Sequence, residues 1–171
     1  MDYKEFYTYL YKKLNKRTPQ LFDCGSLCGN ICCKDDEDDK MGMYLFPHEE
    51  EMLKDIDTFS FEDSDFEYDG KKCKIVYCKP FCERKFRPLS CRIFPLFPYI
   101  TTSGDLKVIV DPRARGICPL YKLEITEFSS KFRRGVKHVG IELMKNLETC
   151  EFLFELSRLI DDEVESILKL I

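Results

Sequence analysis

Nine of the ten cysteines in this 171-residue chain fall between Cys24 and Cys118. Four form one run, Cys24-x3-Cys28-x3-Cys32-Cys33, and three more follow as Cys78-x3-Cys82-x8-Cys91. Thiolates are soft ligands, and thiols spaced three or four residues apart allow one loop to deliver several of them to a metal. The chemistry expected here is metal binding, through zinc or iron–sulfur rather than magnesium or calcium. A structural zinc needs four ligands and the chain offers about twice as many thiols. That surplus favours an iron–sulfur cluster, iron or a multinuclear centre, with zinc as the alternative. The spacing does not choose between them: neither paired Cys-x2-Cys motifs nor the ferredoxin run Cys-x2-Cys-x2-Cys-x3-Cys-Pro is present.

Gathering several thiolates in one place raises their mutual repulsion. Arg84, Arg87 and Arg92 lie among the cysteines in sequence and are expected to lower that cost beside the metal. Pro88 stiffens the backbone that brings in Cys91. The two histidines add little. His48 is a candidate ligand near a helix start, while His138, next to the apolar position Val139, is expected to be packed or at the surface. Aromatic neighbours (Phe81, Phe86, Phe94, Phe97, Tyr99) either shield a centre from solvent or form ordinary core. No Gly-x-Gly-x-x-Gly turn, Gly-x-Ser-x-Gly elbow or His-Glu-x-x-His pair occurs, so nucleotide-fold and conventional hydrolytic chemistry find no support. Enzyme status stays open.

Several blocks together carry a family resemblance. They are Cys24…Cys28…Cys32-Cys33, Phe46-Pro47-His48-Glu49-Glu50, Cys82…Arg87-Pro88-x2-Cys91-Arg92-x-Phe94-Pro95, and Cys118-Pro119. Over roughly residues 24–120 the chain resembles the YkgJ or CxxCxxCC family, described as zinc- or iron-chelating proteins, a group that also contains flagellin lysine N-methylases. The resemblance implies metal ligation at Cys24, Cys28, Cys32, Cys33, Cys82, Cys91 and Cys118. It also implies one further cysteine upstream of Cys82, for which Cys78 fits best and Cys73 competes. Arg87 and Arg92 are the residues expected to serve the bound group. The interval from Cys24 to Cys28 is one residue longer than the family's name prescribes. That leaves open which of Cys32 and Cys33 faces the metal; in an extended segment the two would point opposite ways. Two further readings stand beside a redox or cluster-dependent role: a zinc-stapled interaction domain, and, by resemblance alone, protein-lysine N-methylation.

The elements that must position these residues read as one α+β domain. It has a cysteine-rich core at about 20–120 and a helical part at about 122–170. Its size and 44% hydrophobic content are enough for a real core. Tyr3, Phe6, Tyr7, Leu10 and Leu14 recur near helical spacing over 2–14. Phe46 to Glu51 reads as a helix start, with glutamates at the positive end of the dipole. Asp69-Gly70 is a turn signal with a short strand at Cys73–Cys78 after it. Phe97–Thr101 and Leu106–Val110 flank Ser103-Gly104-Asp105 as a hairpin. From Thr126, Phe128, Phe132, Val136, Val139, Leu143 and Leu147 form one helical face, and a second helix carries Leu156, Leu159, Val164 and Leu168. Cys150, on these helices, is expected to be a buried or incidental thiol.

The acidic stretch Asp35–Asp39 reads as a solvated loop, because it lacks the glycine and distal glutamate of an EF-hand. A net charge of −4 argues against nucleic acid as partner. No stretch approaches the roughly 20 apolar residues of a membrane span, and no signal core is present. A reduced cytoplasmic setting is therefore expected, where clustered cysteines bind metal more often than they form disulfides.

Overall fold

The computed structural model describes residues 2–22, 25–33, 41–79 and 83–169, and for Ser26, Leu27, Cys33, Ile167 and Leu168 it describes the backbone only. Helix α1 (Tyr3–Leu14) starts where the Asp2 carboxylate accepts the backbone N–H groups of Lys4 (2.9 Å) and Glu5 (3.2 Å), which would otherwise be orphaned at a helix start. Tyr7, Leu10 and Leu14 are buried at the expected 3-and-4 spacing, and Tyr3 and Phe6 pack against the same core.

Two short helical pieces follow: α2 (Gly25–Cys28) and a 3-10 turn over Ile31–Cys33. The Cys32-Cys33 pair is therefore helical, not extended. Strand β1 (Met43–Tyr44) then leads to α3 (Glu50–Leu53), a single turn shorter than the sequence suggests.

Strands β2 (Phe59–Tyr68) and β3 (Lys71–Cys78) form an antiparallel hairpin whose register runs from Phe59 opposite Cys78 to Tyr68 opposite Lys71, with an irregularity between Asp63 and Glu67. Its turn, Asp69-Gly70, has positive φ at both residues (48° and 68°), the geometry that lets a two-residue turn follow the strand twist. With β1 on the other side of β3, the sheet order is β1-β3-β2. After α4 (Leu89–Ile93) comes the second hairpin, β4 (Leu96–Ile100) with β5 (Leu106–Val110), where the sequence places it.

Helices α5 (Ser130–Leu143) and α6 (Leu147–Leu168) both pack on β4. Phe132, Val136, Val139 and Leu143 are fully buried as expected; Phe128 is buried just ahead of α5, and Leu147, at 82% exposure, starts the next helix instead of extending this face. Gly140 permits the contact, since a Cβ there would lie 2.7 Å from the Pro98 Cβ.

The fold is α+β. Its main apolar cluster joins α1, α4, α5, α6 and residues of both sheets, and a smaller one gathers Leu45, Leu53, Phe59 and Val76. Glu148, in the first turn of α6, ties several parts together. It accepts from Tyr3 Oη (2.7 Å) and Lys71 Nζ (2.8 Å) and sits 3.0 Å from His48 Nε2. Burial would raise its pKa, but these partners hold the carboxyl down at about 2. Among the described residues no helix is long and apolar enough to cross a membrane.

Candidate metal centre

Helix α4 has two sides. Leu89, Ser90 and Ile93 are buried in the protein, whereas Cys91 and Arg92 are half-buried and line a cavity of about 90 Å³. Cys28, from the end of α2, and Cys32, from the 3-10 turn, face the same cavity, and so does Cys118, where the turn over Pro119–Lys122 begins. One water needs roughly 10–15 Å³ of such space, so the cavity holds several water-sized groups. Three separate stretches of chain thus bring four thiols to one place. The Cys118 thiol is pushed up by burial and by the neighbouring Cys28, and is pulled back by backbone N–H groups of Leu120 and Tyr121.

Arg87 and Arg92 line the cavity as the sequence suggests, as does Arg84; Arg17 joins them from the segment after α1. No aspartate or glutamate is among the described lining residues. Arg92 is fixed in place. Its Nε and Nη2 donate to the carbonyls of Arg87 (2.6 Å) and Lys85 (2.7 Å), and its guanidinium carbon lies 4.0 Å from the centre of the Tyr11 ring. Burial lowers the Arg92 pKa, but a guanidinium starts so high that it stays charged. Arg84 donates to the Arg17 carbonyl at 3.3 Å. A positive wall of this kind stabilises thiolate over thiol, the form that ligates metal.

Behind this wall sits a residue that sequence reasoning missed. Glu49 is fully buried. Its carboxylate accepts from Tyr11 Oη (2.5 Å), from the backbone N–H of Leu89 at the start of α4 (2.6 Å) and from that of Phe46 (3.3 Å). Burial pushes its pKa up to about 6 despite these donors. Glu49 lies in the run His48-Glu49-Glu50-Glu51, which reads as helix-dipole electrostatics, and no local signal distinguishes the buried member from its less buried neighbours.

Most of the other residues singled out in the sequence are not among the described lining of this cavity. Cys78, at the end of β3, packs with Phe86 against the smaller apolar cluster and is not among the residues lining the cavity. Cys73 is in the main core, its thiol directed to the carbonyls of Lys74 (3.2 Å) and Leu45 (3.5 Å), and burial pushes it up to about 12. Cys150 packs against the same core from α6. His48 stacks on Tyr3 at 4.2 Å beside Glu148, and His138 Nε2 sits 2.9 Å from Tyr9 Oη, so both have structural partners. Of the aromatic residues, Phe94 lines the cavity, Phe97 is buried core, and Tyr99 hydrogen-bonds Asp161. Cys24, Cys82, Phe81 and the acidic stretch Asp35–Asp39 lie outside the described residues, as does the Cys33 side chain.

The donor set fits a soft metal, since every described lining residue able to ligate one is a thiol. Among the described residues no group of three or more His, Cys, Asp and Glu side chains is placed to hold a single metal ion. Comparison with family models, curated proteins and solved structures finds no match to this chain.

Proposed function

We propose that this chain is a metal-binding protein whose arginine-lined cavity holds an iron–sulfur cluster, or iron, through cysteine thiolates. One observation carries the proposal: Cys28, Cys32, Cys91 and Cys118, from three separate stretches of chain, line one cavity together with four arginines and no described carboxylate. Apolar packing does not need four thiols in one place, whereas a thiophilic centre does. A single tetrahedral zinc draws four sulfurs in on bonds of about 2.3 Å. An iron–sulfur cluster takes its thiolates on separate irons, so thiols delivered to one cavity by three stretches of chain can each find a place on it. Bound there, such a cluster would supply one-electron transfer.

The chain's own residues have definable parts in this. Arg84, Arg87 and Arg92 offset the charge of the ionised thiols, and the N–H groups of Leu120 and Tyr121 stabilise the Cys118 sulfur in the same sense. Glu49 and Tyr11 fix α4, and with it the approach of Cys91 and Arg92. Lysine N-methylation, implied by resemblance alone, is not part of the proposal.

Two substitutions test the ligand map. Cys91→Ser is expected to lose bound metal, and Cys150→Ser, remote from the cavity, to retain it, measured as metal per chain on purified protein. Equal metal content in the two variants would sink the assignment.

A further inference from the structure

Beside the cysteine cavity lies a second chamber of about 190 Å³. Cys32 and Phe94 stand in both linings, so the two spaces share a wall. The second lining is otherwise mostly apolar: Met43 and Tyr44 from β1, Ile75 from β3, Ile93 from α4 and Leu156 from α6 contribute to it. Among its described residues two are charged, Asp111 and Arg113.

Those two charges neutralise each other. Arg113 Nε lies 2.9 Å from Asp111 Oδ1 and Nη2 2.7 Å from Oδ2, a bidentate pair in which the Asp111 side chain is 4% exposed. The Arg113 guanidinium also lies 5.3 Å from the centre of the Phe97 ring. Glu163, near the pair on α6, is exposed to solvent. The hydroxyl of Ser90, a further polar group in the lining, is already donated to the Tyr44 carbonyl.

These features select the ligand's charge. An anion entering the chamber would compete with Asp111 for Arg113, and a cation would compete with Arg113 for Asp111. The anion would leave Asp111, 4% exposed, without its partner, and the cation would leave the Arg113 guanidinium, held over the Phe97 ring, without its own. An uncharged molecule avoids this and can still exchange one hydrogen bond with the pair, because an ion pair keeps spare donors and acceptors. At roughly 10–15 Å³ per water-sized group, the chamber admits on the order of ten non-hydrogen atoms.

We infer that this chamber is a binding site for an uncharged, aromatic or branched-aliphatic small molecule carrying one hydrogen-bonding group, held against the wall it shares with the cysteine cavity. Presentation of that molecule to a metal centre rests on the function proposed above; the binding itself does not.

Indole is a suitable probe: it is neutral, has one N–H donor and is of the right size. Its fluorescence is unobscured because the chain has no tryptophan. Titrated with the full chain, indole is expected to bind saturably at one site per chain. The double variant Met43→Phe/Ile75→Phe, which fills the chamber from two strands, should weaken binding at least tenfold. Indole-3-acetate and tryptamine, the anionic and cationic analogues, should each bind at least tenfold more weakly than indole. Failure of indole to saturate, equal binding by the double variant, or equal binding of either charged analogue would overturn the inference. Metal assayed on the same preparation separates the two claims: indole binding by metal-free protein supports the chamber while removing the metal reading, and metal without indole binding does the reverse.

Discussion

Replacing Glu49 by glutamine should change how stability depends on pH, by an amount the structure sets. Burial raises the Glu49 pKa from 4.5 to about 6, against three hydrogen bonds that lower it. At about 1.4 kcal/mol per pH unit, the difference is worth about 2 kcal/mol. A folded-state pKa above the unfolded value means that the folded protein binds this proton more tightly. The resulting stabilisation is complete below about pH 4.5 and is lost as pH rises through about 6. A glutamine cannot titrate, so the stability of Glu49→Gln relative to the parent should rise by about 2 kcal/mol between about pH 4 and about pH 7.5. In thermal unfolding that is a relative gain of roughly 4–8 °C for a chain of this length. Urea unfolding of both proteins, reduced and metal-free, would measure it, and taking the difference cancels titrations common to the two. A difference that does not change with pH, or one that falls as pH rises, would refute the reasoning. The first result would mean that Tyr11, Leu89 and Phe46 stabilise the carboxylate as much as burial penalises it, and the second that they stabilise it more.

Two further outcomes follow from packing. Cys73 is 1% exposed with a thiol pushed up to about 12, so in the reduced, metal-free protein it should be the last of the described cysteines modified by a thiol reagent, and Cys32, which is exposed, among the first; mass spectrometry of partly labelled protein checks the order, and early labelling of Cys73 would contradict its placement. Gly140→Ala should destabilise the chain by about 1–3 kcal/mol in urea unfolding, because the new Cβ would meet Pro98 at 2.7 Å and Leu106 at 2.9 Å. The gain in helix propensity of about 1 kcal/mol does not offset that overlap, and a stabilised variant would show that α5 can shift away from β4–β5.

Elements whose signal is local were legible in the sequence. Helix α1 shows its buried stripe directly, and the β4–β5 hairpin is marked by Ser103-Gly104-Asp105 between two apolar runs. Strand β2 was not read from the sequence, because Glu62, Asp63 and Asp65 interrupt the alternation of Phe59 and Phe61 with Phe66 and Tyr68; pairing with β3 carries the strand across that interruption. Helix α3 is a single turn even though proline and three glutamates mark its start; Ile56 and Phe59, which continue its apolar spacing, reach the smaller cluster from outside the helix.

At the site, cysteine spacing pointed to the thiols, and the fold brings Cys28, Cys32, Cys91 and Cys118 to one cavity. Spacing alone does not say which apolar cluster Cys78 meets: it ends β3 beside the smaller one, four residues before Cys82. Nor could it reveal Arg17, Glu49 or the Asp111–Arg113 pair, each of which acquires its role from segments distant in sequence. Arg17 is far from the other cavity arginines along the chain, and Glu49 joins α1 to α4 across almost 80 residues.

Metal content and visible absorption of protein purified without oxygen test the central claim most directly. Iron with acid-labile sulfide and a broad band near roughly 400 nm, where thiolate-bound clusters absorb, is the predicted result. Stoichiometric zinc in a colourless protein would keep the thiolate site but remove the cluster, and a chain that holds neither iron nor zinc would contradict the account.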